Sequence, residues 1–153
     1  MTNQTYVLIV ARRVDTVNRK VTYMASLNMN GSYLLNKDKI DEVVTETSAG
    51  NYALGYVNEK GTFIVKYVGR ADSDVNARLK QHVGEKYKQF KYSYATSPKA
   101  AFEKECRNYH DFGGSKSLDN KIHPDRPKNS SWKCPCCDTF DWEVRVCREN
   151  SIM

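Results

Sequence analysis

The sequence predicts an α+β fold: a small three-stranded antiparallel sheet with flanking helices in the order β-β-α-β-α, an N-terminal β extension and a loop-rich C-terminal tail. Three observations predict it. The runs Tyr52 to Val57 and Thr62 to Val68 are rich in β-branched and aromatic residues and are separated by Asn58-Glu59-Lys60-Gly61, as in a hairpin whose glycine tolerates a positive backbone angle. Val75, Leu79 and Val83 recur every four residues, which gives a helix one apolar face. Phe90, Tyr92 and Tyr94 then alternate as in a third strand before Ser97-Pro98 opens a second helix. At 153 residues, 40% hydrophobic and 27% charged, the chain is long enough to bury a core and has the balance of an ordinary folded protein.

Taken in order, residues 1–48 form an N-terminal extension. Thr5 to Ala11 and Lys20 to Leu27 read as strands, Asn28-Met29-Asn30-Gly31-Ser32 as a turn, and Lys37 to Val44 as a short helix. This extension shows no chemistry and reads as an extra sheet or docking surface. Residues 49–123 hold the core. Closing its hairpin sets Tyr52 opposite Tyr67. The following helix, Asp72 to Val83, can be capped by Asp72 or Ser73, and it carries Arg78 and His82 four residues apart on one side. The second helix runs to about Tyr109 and carries Glu103 and Glu105. Residues 124–153, a Cys-rich tail packed on the core, are mostly loop, with one strand expected from Asp141 to Cys147.

The chain carries 24 basic against 18 acidic side chains, a formal charge of +6, which suits a polyanionic partner. No apolar run approaches the roughly 20 residues of a membrane helix. The polar start Met1-Thr2-Asn3-Gln4 lacks the features of a signal peptide, so a cytoplasmic protein is expected. The five cysteines all fall in the last third, an odd number that suits local metal binding better than a paired disulfide framework.

Two facing tyrosines, an arginine, a histidine and a carboxylate on one side of such a sheet are parts that phosphodiester hydrolysis uses: a metal-holding carboxylate, a cation for the phosphate and groups that orient water. The residues that supply them resemble the GIY-YIG nuclease superfamily over about residues 50–123. Gly50-Asn51-Tyr52 stands where the family has G-x-Y, and Tyr67-Val68-Gly69 as its Y-[IV]-G. Arg78-Leu79-Lys80-Gln81-His82 resembles the first-helix motif, Ala101-Phe102-Glu103-Lys104-Glu105 the second-helix A-x-x-x-E, and Leu118-Asp119-Asn120 the later asparagine. Asn51 replaces an apolar residue, and the interval to Tyr67 exceeds that of the family's shortest hairpins. Tyr56 is an alternative first tyrosine with a shorter interval, but Tyr52 completes G-x-Y. Glu103 and Glu105 face about 200° apart on a helix, and Glu105 is the one that completes A-x-x-x-E.

The resemblance implies a metal-dependent endonuclease acting on nucleic acid, DNA in the first instance. Glu105 would bind one Mg²⁺ or Mn²⁺, Tyr52 and Tyr67 would orient or activate water, Arg78 would neutralise the scissile phosphate, and His82 would assist proton transfer, with Asn120 completing the set. Arg70, just past the second motif, is placed to reach phosphate or to lie on the surface. With no second DNA-binding segment recognisable, a homodimer or an accessory DNA-binding subunit is the partner the reading allows. The rival reading is a zinc-stapled module on the same fold that binds nucleic acid or protein without cutting.

The tail suggests a second metal. Cys134-Pro135-Cys136-Cys137 holds a C-P-x-C knuckle, and Cys106 with His110 offers a pair four residues apart on a helix. Cys106, His110, Cys134 and Cys137 would make a closed Cys₃His zinc site of structural type. His123 is the competing ligand, Cys136 a bystander and Cys147 a core residue.

Overall fold

The computed structural model describes residues 10–14 and 20–140. The strand expected from Asp141 to Cys147 lies outside them, as does the first part of the one expected from Thr5. Strands β1 (Val10–Val14) and β2 (Lys20–Met24) pair antiparallel as a separate two-stranded sheet.

Strand β3 (Asn30–Leu34), helix α1 (Lys37–Val43), strand β4 (Gly50–Val57), strand β5 (Phe63–Ala71), helix α2 (Val75–Lys80), strand β6 (Gln89–Tyr94), helix α3 (Pro98–Asp111) and the single turn α4 (Gly114–Ser117) follow. The main sheet has four strands in the order β3-β6-β4-β5, every neighbouring pair antiparallel. This corrects the expectation of three. Asn28-Met29-Asn30-Gly31-Ser32 reads as a turn by composition; Asn28 has φ 49°, but β3 already begins at Asn30, which pairs with Tyr92.

The β4–β5 turn closes where expected, with Gly61 at φ 78° and the Asn58 side chain accepting from the amides of Lys60 and Thr62. Its register differs from the simple hairpin. An irregularity between Leu54 and Gly55 shifts the pairing, so Tyr52 lies opposite Gly69 and Tyr67 opposite Leu54. The two tyrosines are therefore diagonal neighbours rather than directly opposed.

Alternation along β4 sends its side chains to two cores. Tyr52 and Leu54 join Phe90 and Tyr92 from β6, Ile40 and Val44 from the α1 region, and Val75 and Leu79 from α2. The α1 segment, N-terminal to residue 49, thus belongs to the same core. Ala53 and Val68 face the other way, onto Tyr109 and Phe112 at the end of α3 and onto Leu118.

The starts of α1, α2 and α3 follow from their caps. Asn36, Asp74 and Ser97 each accept from the amide three residues on, and Pro98 takes the first turn of α3. The α2 cap is Asp74 rather than Asp72 or Ser73, and α2 ends at Lys80, giving way to tighter turns through Val83. On α3 the buried positions Ala101, Phe102, Glu105, Cys106, Asn108 and Tyr109 form one stripe, as the helical period requires. No helix among the described residues is long and apolar enough to cross a membrane.

Candidate functional site

At the end of β5 a polar cleft of about 480 Å³ opens between α2 and α3. Its lining includes Tyr52, Tyr67, Arg70, Arg78, Glu105 and Asp125. Five residues singled out in the sequence, Tyr52, Tyr67, Arg70, Arg78 and Glu105, drawn from β4, β5, α2 and α3, thus reach one cavity because an edge strand lets both sheet faces contribute.

Tyr52 is the floor of that cavity and has no solvent-exposed surface. Its fit depends on Gly69, where a β-carbon would lie 2.4 Å from the Tyr52 hydroxyl oxygen and ring. The Tyr52 and Tyr67 rings stack, with centroids 6.3 Å apart and planes 22° apart, and Tyr67 is half-buried. Burial pushes the Tyr52 phenol far up, Tyr67 adding to the shift and Arg78 opposing it. The Tyr67 phenol moves the same way, by burial first and the Glu105 charge second. Both are therefore neutral hydroxyls in ordinary buffers.

His82 sits behind Tyr52 rather than in the cleft lining. Its Nε2 is 2.9 Å from the Tyr52 hydroxyl, and its Nδ1 is 3.0 Å from Glu85 Oε2. In the neutral imidazole the Nδ1–H donates to Glu85, which leaves Nε2 to accept the Tyr52 proton. A carboxylate–imidazole–phenol chain results. Sequence reasoning missed Glu85, which stands three residues after His82 in the turns beyond α2, where a regular helical face no longer applies.

Arg78 is exposed on the cleft wall, its Nη1 donating to Gln81 at 2.7 Å. Its pKa is raised, with Tyr52 the first cause and Glu105 a lesser one.

Glu105 is only 9% exposed. Arg70 Nη1 donates to its Oε2, and Arg70 Nε donates to Asp72 Oδ1 at 2.9 Å. The Arg70 guanidinium also stands 5.3 Å from the centre of the Phe102 ring. Burial raises the Glu105 carboxyl above its ordinary range, and Arg70 is the chief opposing influence. Glu103 lies on another side of α3, 3.9 Å from Lys99, and does not line the cleft. Asn51, at the polar departure from G-x-Y, donates from Nδ2 to the Ala101 carbonyl at 2.8 Å, tying β4 to the helix that carries Glu105. Its Oδ1 is buried with no hydrogen-bond partner among the described residues.

Asn120 does not line the cleft. Its Oδ1 accepts from the Val68 amide at 3.0 Å and its Nδ2 donates to the Val68 carbonyl at 2.8 Å. The Asp119 amide adds a bond to the Lys66 carbonyl at 2.6 Å. Asn120 thus braces the strand between Tyr67 and Gly69.

The second constellation joins the last turn of α3 and His123 to the cysteines of the tail. His110 and His123 Nε2 atoms are 3.1 Å apart, Cys134 Sγ is 3.5 Å from His110 Nε2, and Cys137 Sγ is 3.4 Å from His123 Nε2. Ligand atoms of all four lie within 4.8 Å of one another, and the group could hold a metal ion such as zinc. Burial first, and His123 second, lower the His110 pKa, which favours a neutral ring with a lone pair to offer. This set corrects the expected one: His123 takes the place of Cys106. Cys106 is fully buried with Phe102 and Cys134 in a small core that Trp132 and Phe140 cover, and burial pushes its thiol up. Cys136 is outside the set, as expected.

Comparison of the chain with known protein families, curated proteins and solved structures found no match.

Proposed function

We propose that the cleft is the active site of a metal-dependent endonuclease of the GIY-YIG type, hydrolysing phosphodiester bonds in nucleic acid, DNA in the first instance. One observation carries the reading: Tyr52, Tyr67, Arg78 and Glu105, chosen from four separate motifs, line a single polar cleft.

The donor chemistry fits a hard cation. Glu105 offers a carboxylate in a polar cleft, its Oε1 standing beside an Oε2 that accepts from Arg70, and hard cations such as Mg²⁺ and Mn²⁺ take oxygen donors of this kind. Glu105 is the residue that would hold the ion, whose chemistry when bound is to stabilise charge on the leaving oxygen. Arg78, exposed and always charged, is suited to hold the phosphate. Tyr67 meets the attacking water, because Tyr52 is closed off from solvent. Tyr52 positions Tyr67 by stacking and shares its proton with His82, which Glu85 orients. His82 is a positioning residue on this reading. Zinc(II) is assigned to the Cys/His cluster, whose soft ligands have no part in cleavage.

The test is nicking of supercoiled plasmid with Mg²⁺ or Mn²⁺ by wild type, Glu105→Ala and a chelated control. Metal-dependent nicking that disappears in Glu105→Ala is expected. Equal nicking by the variant would misassign the carboxylate, and nucleic-acid binding by a wild type that cuts no substrate would establish a non-catalytic module.

A further inference from the structure

The four-residue cluster in the tail has the dimensions of a coordination sphere. With Zn–N about 2.0–2.1 Å and Zn–S about 2.3 Å, the edges of a tetrahedron come to about 3.3 Å between two nitrogens and about 3.6 Å between nitrogen and sulfur. The observed separations are 3.1 Å for the two imidazole nitrogens and 3.5 and 3.4 Å for the two nitrogen–sulfur pairs. The three printed edges thus match, and every other pair of ligand atoms lies within 4.8 Å.

The surroundings are arranged as for metal ligands. His123 Nδ1 donates to the Pro124 carbonyl at 2.8 Å, which fixes the tautomer with a bare Nε2 aimed at the cluster. Within the C-P-x-C knuckle, the Cys136 amide donates to Cys134 Sγ at 3.4 Å, an interaction that steadies a thiolate. Two nitrogens and two sulfurs within 4.8 Å of one another, with no carboxylate among them, select zinc(II) over Mg²⁺ or Ca²⁺, and four protein ligands would leave no open position for substrate.

We infer that His110, His123, Cys134 and Cys137 bind one zinc(II) in a closed Cys₂His₂ site, and that this ion seats the stretch around His123 against β5 and the cleft. The inference rests on the zinc assignment above and is independent of the nuclease reading. His110 belongs to the last turn of α3, the helix that carries Glu105. His123 stands three residues after Asn120, which grips Val68, and two before Asp125, which lines the cleft. Residues 118–140 contain no helix or strand to fix their course. Zinc therefore makes the tail a wall of the cleft.

The test uses the full chain. Elemental analysis should give one zinc per chain, and replacement by Co²⁺ should give the visible absorption of four-coordinate cobalt with a thiolate charge-transfer band. Zinc should be lost in His123→Ala and kept in Cys106→Ala. Amide exchange supplies a readout that needs no variant: on removing zinc from wild type with a chelator, the Val68 amide should exchange at least about tenfold faster while the amides of β4 stay protected. Absence of stoichiometric zinc, or zinc lost in Cys106→Ala and kept in His123→Ala, would overturn the ligand set. Unchanged Val68 exchange after zinc removal, or equal loss of protection in β4, would overturn the seating of the loop.

Discussion

Replacing Asn120 by alanine tests whether this side chain serves the fold or the reaction. The carboxamide makes two hydrogen bonds to one buried residue, accepting from the Val68 amide at 3.0 Å and donating to its carbonyl at 2.8 Å. Val68 is fully buried and Asn120 is 9% exposed. Truncation leaves both backbone groups without a partner, each at about 1–3 kcal/mol. Because β5 is an edge strand, water entering the space left by the side chain recovers part of that loss, so we expect about 2–4 kcal/mol in all. For a chain of this size that lowers the melting temperature by roughly 5–15 °C. Urea and thermal unfolding of the zinc-loaded protein measure it. Asn120→Asp should also destabilise, since it keeps the acceptor for the amide but sets a carboxylate against the Val68 carbonyl. If Asn120 only braces β5, cleavage well below the melting point should fall no further than the folded fraction does. A stability change under about 0.5 kcal/mol together with a large loss of rate in the folded protein would refute the bracing role.

Arg70→Ala should destabilise by about 3 kcal/mol at neutral pH, the scale for stranding one member of a buried pair. Burial already holds the Glu105 pKa above its unfolded value, and losing Arg70, its main opponent, raises it further. Such a group stabilises the fold at pH below its unfolded pKa and loses that contribution as pH rises through the folded one. The penalty should therefore be smaller at pH 5 than at pH 8, and a difference in urea midpoint independent of pH would contradict the assignment. Gly69→Ala should cost about 1–3 kcal/mol and shift the NMR signals of the His82 ring, because the new β-carbon displaces the Tyr52 ring; unchanged His82 signals would count against the contact. Arg78→Ala should slow plasmid nicking on the order of 10², and near-normal cleavage would remove Arg78 from the site.

Elements set by local periodicity were legible in the sequence. Phe90, Tyr92 and Tyr94 announced a strand, and Ser97-Pro98 announced α3, because alternation and capping depend on near neighbours alone. Glu105 could be preferred to Glu103 by motif; in the structure Glu105 lies in the buried stripe of α3 and lines the cleft, while Glu103 lies near Lys99. What depends on chain path was not legible. His123 joins His110 through a loop whose course no local rule supplies, whereas Cys106 looked equivalent only because four residues make one helical turn. The register of Tyr52 against Gly69 turns on one irregularity at Leu54 and Gly55, invisible to hairpin arithmetic. Glu85 follows an early helix end, so helical spacing could not place it beside His82. The run Asn28 to Ser32 suggested a turn, but pairing with β6 draws its residues from Asn30 onward into β3.

The carboxamide of Asn120 imitates a peptide unit. It presents one acceptor and one donor to Val68, as a neighbouring strand would, and the Asp119 amide continues the imitation at Lys66. The outer edge of β5 is thereby closed along these residues by a fragment too short to propagate a sheet. An uncovered strand edge is a template on which another chain can add. Losing this cover would turn a defect within one molecule into contact between two, and self-association that grows with protein concentration would be its signature.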